Sequence, residues 1–257
     1  MSSPKPVLVV AGFGAGGGTG AAAARAFAKE GYTIALIGRR AGETLLEELK
    51  NSGADVRVLP SSRYRLMNTP PFNQHSKIFD PNIHPHNTAF APRYITLAMA
   101  SWKPFLDVTP EDIKGVTETN IDGAFAFAHE VITEFKKNEI DPTTGKRGVL
   151  IFTGATASIR GNVTTSAFSA GMFALRALSQ SLAKEFGKQN IHVAHAIIDG
   201  AISTPLSRER RKNPEWEQNE DVRLSPEAIA STYIHLAKQE RSAWTWELDL
   251  RPAHEKW

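Results

Sequence analysis

The stretch Val7–Gly31, VLVVAGFGAGGGTGAAAARAFAKEG, constrains this chain more than any other. Four apolar residues, Val7 to Val10, form a run short enough for a buried parallel strand. Six glycines follow between Gly12 and Gly20, then an alanine-rich helical run that Gly31 closes at a C-cap. A strand, a glycine turn and a helix N-terminus together make an anion site, because free N–H groups and the positive end of the helix dipole point above the turn. Glycine is required where a side chain would hold a pyrophosphate away from the backbone. The glycines fit two registers: Gly12, Gly14 and Gly17 satisfy G-x-G-x-x-G, and Gly14, Gly18 and Gly20 satisfy G-x-x-x-G-x-G. The second is preferred because its last glycine abuts the alanine-rich helix. Gly14, Gly16, Gly17, Gly18, Thr19 and Gly20 are therefore the candidate phosphate-binding residues.

The 257 residues suffice for one sizeable α/β domain, and 41% hydrophobic with 22% charged residues is an ordinary globular composition. No apolar run approaches the ~20 residues needed to cross a bilayer, and MSSPKP lacks the apolar core of a signal peptide. Cysteine is absent, which rules out disulfides and thiolate chemistry. The expectation is a cytoplasmic protein with no membrane partner. A net charge of +3 with dispersed basic residues argues against nucleic acid as a partner; Arg208, Arg210, Arg211 and Lys212 are read as part of a polar loop.

A second strand, Gly31–Gly38, ends on Arg39-Arg40. In a dinucleotide fold this position lies beside the adenosine ribose. An acidic residue there would bond a 2′-hydroxyl, whereas arginines accommodate a 2′-phosphate, so NADP(H) is favoured over NAD(H). Glu43–Asn51 suits a short amphipathic helix, and Asp55–Leu59 a third strand. The pattern then breaks. Residues 60–94 hold six prolines, three histidines and almost no apolar periodicity where an alternating α/β chain should place a helix. A substrate-covering insertion, a disordered excursion and an altered gene model all fit. His84 and His86 lack clustered acidic or thiol companions, so no metal is expected.

Tyr94–Ala100 reads as a fourth strand. Thr109-Pro110-Glu111-Asp112 is a strong helix start, with the helix running to about Lys137. Gly148–Thr153 is a buried strand and Ser166–Phe186 a helix of about 30 Å. Ile191–Ile198, a helix opened by Ser225-Pro226-Glu227, and Trp246–Leu250 complete the order. His192 and His195 lie three apart on a strand and so face opposite ways. The fold class is a single-domain, Rossmann-like, doubly wound α/β structure with a mostly parallel sheet.

With these elements in this order, the chain resembles the short-chain dehydrogenase/reductase family over most of its length, 60–94 excepted. Gly14-x-x-x-Gly18-x-Gly20 matches the family's cofactor loop, and Asn120, in T-N-I-D-G, matches its structural and proton-relay asparagine. Asp199-Gly-Ala-Ile-Ser-Thr204 matches its P-G-x-x-x-T segment with aspartate in place of proline. The resemblance implies that Thr204 contacts the nicotinamide carboxamide. It also implies hydride transfer between NADP(H) and a small carbonyl or alcohol substrate, and a homodimer or homotetramer.

Such chemistry uses a tyrosine to exchange a proton, a lysine four residues later to lower its pKa, and a serine to polarise the substrate oxygen. Aligning Phe152–Gly161 and Ala167–Leu175 places Ala155 at the serine position, Phe168 at the tyrosine and Met172 at the lysine. Phenylalanine has no proton to give and methionine no charge. None of the four tyrosines has a lysine four residues on. Lys184 sits twelve residues beyond Met172, about 18 Å along the helix. Thr153, Thr156 or Ser158 could supply a hydroxyl near the lost serine. Two readings stand: an oxidoreductase with a degenerate site, or a non-catalytic dinucleotide-binding or subunit-interaction protein of the same descent.

Overall fold

In the computed structural model, residues 5–13, 16–38, 43–60, 91–95 and 100–256 are described. Gly14, Arg39, Arg40, His84 and His86 lie outside them, as does most of the proline-rich segment.

Strands β1 (Val7–Ala11), β2 (Thr33–Gly38), β3 (Val56–Pro60), β4 (Ala91–Ile95), β5 (Gly148–Thr153), β6 (Ile191–Ile198) and β7 (Glu247–Leu250) form one sheet. Its order is β3-β2-β1-β4-β5-β6-β7, with every pair parallel. The chain runs outward from β1 to β3, then crosses back to β4 on the other side of β1. This reversal opens a crevice at the carboxyl ends of β1 and β4, where open α/β sheets bind ligands.

Helices cover both faces. On one lie α1 (Thr19–Lys29), α2 (Glu43–Asn51) and α8 (Pro226–Lys238); on the other lie α4 (Gly123–Lys137) and α5 (Ser166–Phe186). The buried alanines Ala21 to Ala24 share their core with Ile229, Ala230 and Tyr233 of α8, since methyl-sized side chains allow close packing. Across the sheet, Phe127, Val131 and Phe135 of α4 meet Phe168, Met172 and Leu175 of α5 around Leu150 and Phe152.

Three expectations are corrected. β4 begins at Ala91 rather than Tyr94, and Pro92 precedes Arg93, the first residue in register with β1, so it interrupts no ladder bond to that strand. The helix expected from Thr109 to Lys137 is broken: α3 (Pro110–Thr117) passes through a π turn at Glu118–Asp122 before α4 begins. The basic run Arg208–Arg211 is helical, in α6 (Pro205–Arg211), because Thr204 and Pro205 supply a cap and first-turn proline. Gly187 caps the end of α5 as expected, and a 3₁₀ turn follows whose left-handed residue is Asn190. A further short helix, α7 (Pro214–Gln218), follows α6.

Candidate functional site

A cavity of about 540 Å³ opens at the carboxyl edge of the sheet. One wall comes from the glycine turn: Gly12, Phe13, Gly18, Thr19 and Gly20. The other comes from the end of β5 and the segment leading into α5.

The glycine wall is held from below. Arg25 of α1 donates to the Gly16 carbonyl at 2.9 Å and grips Glu48 of α2 through two bonds of 2.7 Å. Gly16 needs its glycine, having φ +91°. Gly17 needs it because a Cβ would lie 2.4 Å from Pro205 Cδ, where α6 closes on the turn. At Gly18, by contrast, a Cβ would meet nothing within 4 Å. Gly18 is also the N-cap of α1 and offers no side-chain acceptor to its first amides. The Thr19 hydroxyl beside them is buried without a hydrogen-bond partner among the described residues. Open space over Gly18, the positive end of α1 and this hydroxyl fit a phosphate at the helix N-terminus.

On the opposite wall, Ala155, Phe168 and Met172, the three positions aligned with the family's serine, tyrosine and lysine, all line the cavity. Phe168 is 9% exposed and Met172 fully buried. Gly171, where a Cβ would come within 3.0 Å of Asn120 Nδ2, lets the π turn approach α5 closely. The Asn120 amide consequently donates to Met172 Sδ at 3.8 Å. Thr153 and Thr156 line the cavity, whereas Ser158 is buried with its oxygen accepting from Ala155 N–H at 3.1 Å. Thr204 stands apart from the cavity lining and caps α6, its hydroxyl oxygen accepting from Ser207 N–H at 3.0 Å; Gly200 and Ile202 of its segment do line the cavity.

The family model described as enoyl-(acyl carrier protein) reductase matches residues 14–247, nearly the whole chain. The chain belongs to the short-chain dehydrogenase/reductase family. Among curated relatives, L-rhamnose-1-dehydrogenase of Scheffersomyces stipitis is 28% identical over 145 residues, 54% of each chain. L-2,3-butanediol dehydrogenase of Corynebacterium glutamicum is 29% identical over 120 residues, 47% of this chain and 40% of that one. The matched region thus spans about half the length of these relatives or less. A short-chain dehydrogenase from Rhodopseudomonas palustris superposes with a TM-score of 0.71 at 27% identity, covering 96% of this chain and 98% of that one. An actinorhodin polyketide ketoreductase variant crystallised with NADPH gives 0.74 at 17% identity, covering 99% and 100%, a likeness of fold.

Within this family fold, three contributors to the cavity region were not assigned a role from sequence. Arg160 lines the cavity, and Trp102, 67% exposed, stands at its edge. Asp199, recognised only as a departure from the proline pattern, is 1% exposed and bonds Thr156 and Arg160. Its signal was its position: an aspartate directly after a buried strand must find partners inside the protein. Tyr233 is a different case. Its hydroxyl lies 2.7 Å from Thr153 Oγ1, but the ring is buried on the α8 side, and burial pushes its pKa well above the ordinary value. Its hydroxyl is held by Thr153 rather than turned to a substrate.

Proposed function

We propose that this protein is an NADP(H)-dependent oxidoreductase acting on a small carbonyl or alcohol, with a degenerate active site. The observation carrying this reading is that one cavity joins the N-terminus of α1, at Gly18, Thr19 and Gly20, to the Ala155–Phe168–Met172 wall. Gly16 to Gly20 would hold the pyrophosphate, and Arg39 and Arg40 the 2′-phosphate that distinguishes NADP(H) from NAD(H). A bound nicotinamide would supply or accept the hydride. The chain's own part is to hold the substrate in a cavity closed by Phe168, Met172, Ile198 and Ile202. Thr156 presents a hydroxyl there, whereas Phe168 and Met172 can exchange no proton. General acid–base help is worth about 10²–10⁴-fold, so turnover through a water or a substrate's own acidic group would be slow but measurable. By family likeness the working unit is a homodimer or homotetramer.

A second reading is favoured by that same apolar wall: a protein that binds dinucleotide without turnover. Calorimetric titration with NADPH and, separately, NADH tests both. Tight NADPH and weak NADH binding is expected under either. Oxidation of NADPH above the enzyme-free rate with any member of a carbonyl panel selects the first. Failure to bind either nucleotide overturns the cofactor assignment.

A further inference from the structure

Among the described residues, Arg160 is the single ionisable side chain lining the cavity. It stands between the 3₁₀ turn Thr156–Ser158 and α5, with 38% of its side chain exposed. Its Nη2 lies 3.3 and 3.4 Å from the two carboxylate oxygens of Asp199. Those are long contacts through one nitrogen, not the paired, short geometry of an arginine saturated by a carboxylate. Asp199 is fixed from other sides as well: Thr156 donates to it, and Arg251 Nη2 approaches to 3.2 Å while pairing also with Asp249. Asp199 therefore orients Arg160 without consuming it. Among the described residues, Arg160 Nε and Nη1 have no hydrogen-bond partner.

A second donor points the same way. Asn162 lines the cavity two residues on, and its side-chain oxygen accepts from Val163 N–H. Its Nδ2 has no partner among the described residues. Among the described residues no carboxylate lines this cavity, and the adjoining surface includes Trp102, Phe168, Met172, Ile198 and Ile202. A site with one guanidinium, one amide donor, threonine hydroxyls on the β5 side and a broad apolar patch suits a ligand with a carboxylate at one end and an apolar body.

We infer that Arg160, positioned by Asp199 and joined by Asn162, is a carboxylate subsite, and that the substrate is an acid with an apolar body, of the 2-oxo or 2-hydroxy acid type. The inference rests on the oxidoreductase reading for the reacting carbon, but not for the binding itself.

Phenylpyruvate and 1-phenyl-2-propanone share a ring and a ketone and differ in the carboxylate. Each is titrated calorimetrically into the protein, with and without NADPH. Phenylpyruvate should bind about tenfold tighter or better, as expected for a partly exposed charge-assisted bond. Arg160→Met should abolish that preference and Arg160→Lys retain part of it, with NADPH affinity unchanged in both. Equal binding of acid and ketone, no binding of phenylpyruvate, or a preference that survives Arg160→Met overturns the subsite. So does an Arg160→Met variant that loses NADPH instead, since the guanidinium would then serve a dinucleotide phosphate. Phenylpyruvate binding that depends on Arg160 in a protein that ignores both nucleotides would uphold the subsite and overturn the cofactor reading. NADPH binding without phenylpyruvate binding would do the reverse.

Discussion

Asn120, in the π turn, donates its side-chain amide to the sulfur of Met172, 3.8 Å away. On the proposed alignment Met172 stands at the family's lysine position, where a thioether offers neither charge nor a proton. Restoring the pair through Phe168→Tyr with Met172→Lys should raise carbonyl-dependent NADPH oxidation about 10²–10⁴-fold over the unaltered chain. Because Met172 is fully buried, the lysine should also lower the melting temperature of the free protein. A double variant that binds NADPH yet turns over no member of a broad carbonyl panel would show that loss of these residues is not what limits the site.

The two glycines beside α1 should behave oppositely. Gly17→Ala drives a methyl into Pro205 and should displace α6, lowering the melting temperature and weakening NADPH. Gly18→Ala meets open space, so stability should change by no more than about 1 kcal/mol. Its methyl would nevertheless occupy the space assigned to a phosphate, and calorimetry should show NADPH binding weakened at least tenfold. Unchanged NADPH affinity in Gly18→Ala would place the phosphates elsewhere.

Acid should destabilise this protein through two histidines. Burial lowers the pKa of both His192 and His195, each to about 4. His192 stacks on Trp244 and bonds the Thr245 carbonyl through Nε2 at 2.8 Å, while both ring nitrogens of His195 lack a hydrogen-bond partner among the described residues. Between pH 6.5 and 4 the unfolded chain binds protons that the folded one refuses, so stability falls as pH falls through that window. Each ring should cost about 2–3 kcal/mol by pH 4. Urea unfolding at pH 7, 6, 5 and 4 should show the loss, and His195→Gln should flatten the slope.

Lys146 should act at the alkaline end. Fully buried, it donates to the Ala237 carbonyl at the end of α8 at 2.8 Å, and burial lowers its pKa to about 8. Its charge opposes folding most below pH 8, and that opposition fades as pH rises toward 10.5, where the unfolded lysine also loses its proton. Stability measured at pH 7.5 and 9.5 should therefore include a rising component that Lys146→Met removes. An identical pH response in wild type and variant would show that this ammonium is better solvated than its surroundings imply.

Much of the frame was readable along the chain because its signals are local. Thr109 and Pro110 open α3 as expected, with Thr109 and Asp112 capping one another. The boundaries of α5 and of β6 fall where the apolar periodicity puts them. His192 and His195 do face opposite sides of the sheet, by the two-residue alternation of a strand. What misled was tertiary. Nothing in T-E-T-N-I-D signals a π turn, which the close approach of Gly171 to Asn120 accommodates. The basic run after Thr204 looked like solvated loop because its helix is short and packs on the glycine turn through Pro205.

The sequence by itself determined the doubly wound class, the glycine turn at its switch point and the identities Ala155, Phe168 and Met172, because backbone propensity and residue chemistry are carried by neighbours in the chain. Only the tertiary structure decided that Asp199 closes on Thr156 and Arg160, that Asn120 meets a sulfur, and that Tyr233 is spent against Thr153. Those pairs lie 39 to 80 residues apart. A buried polar group must find a partner somewhere, but which one it finds depends on how the sheet and its helices bring distant segments together.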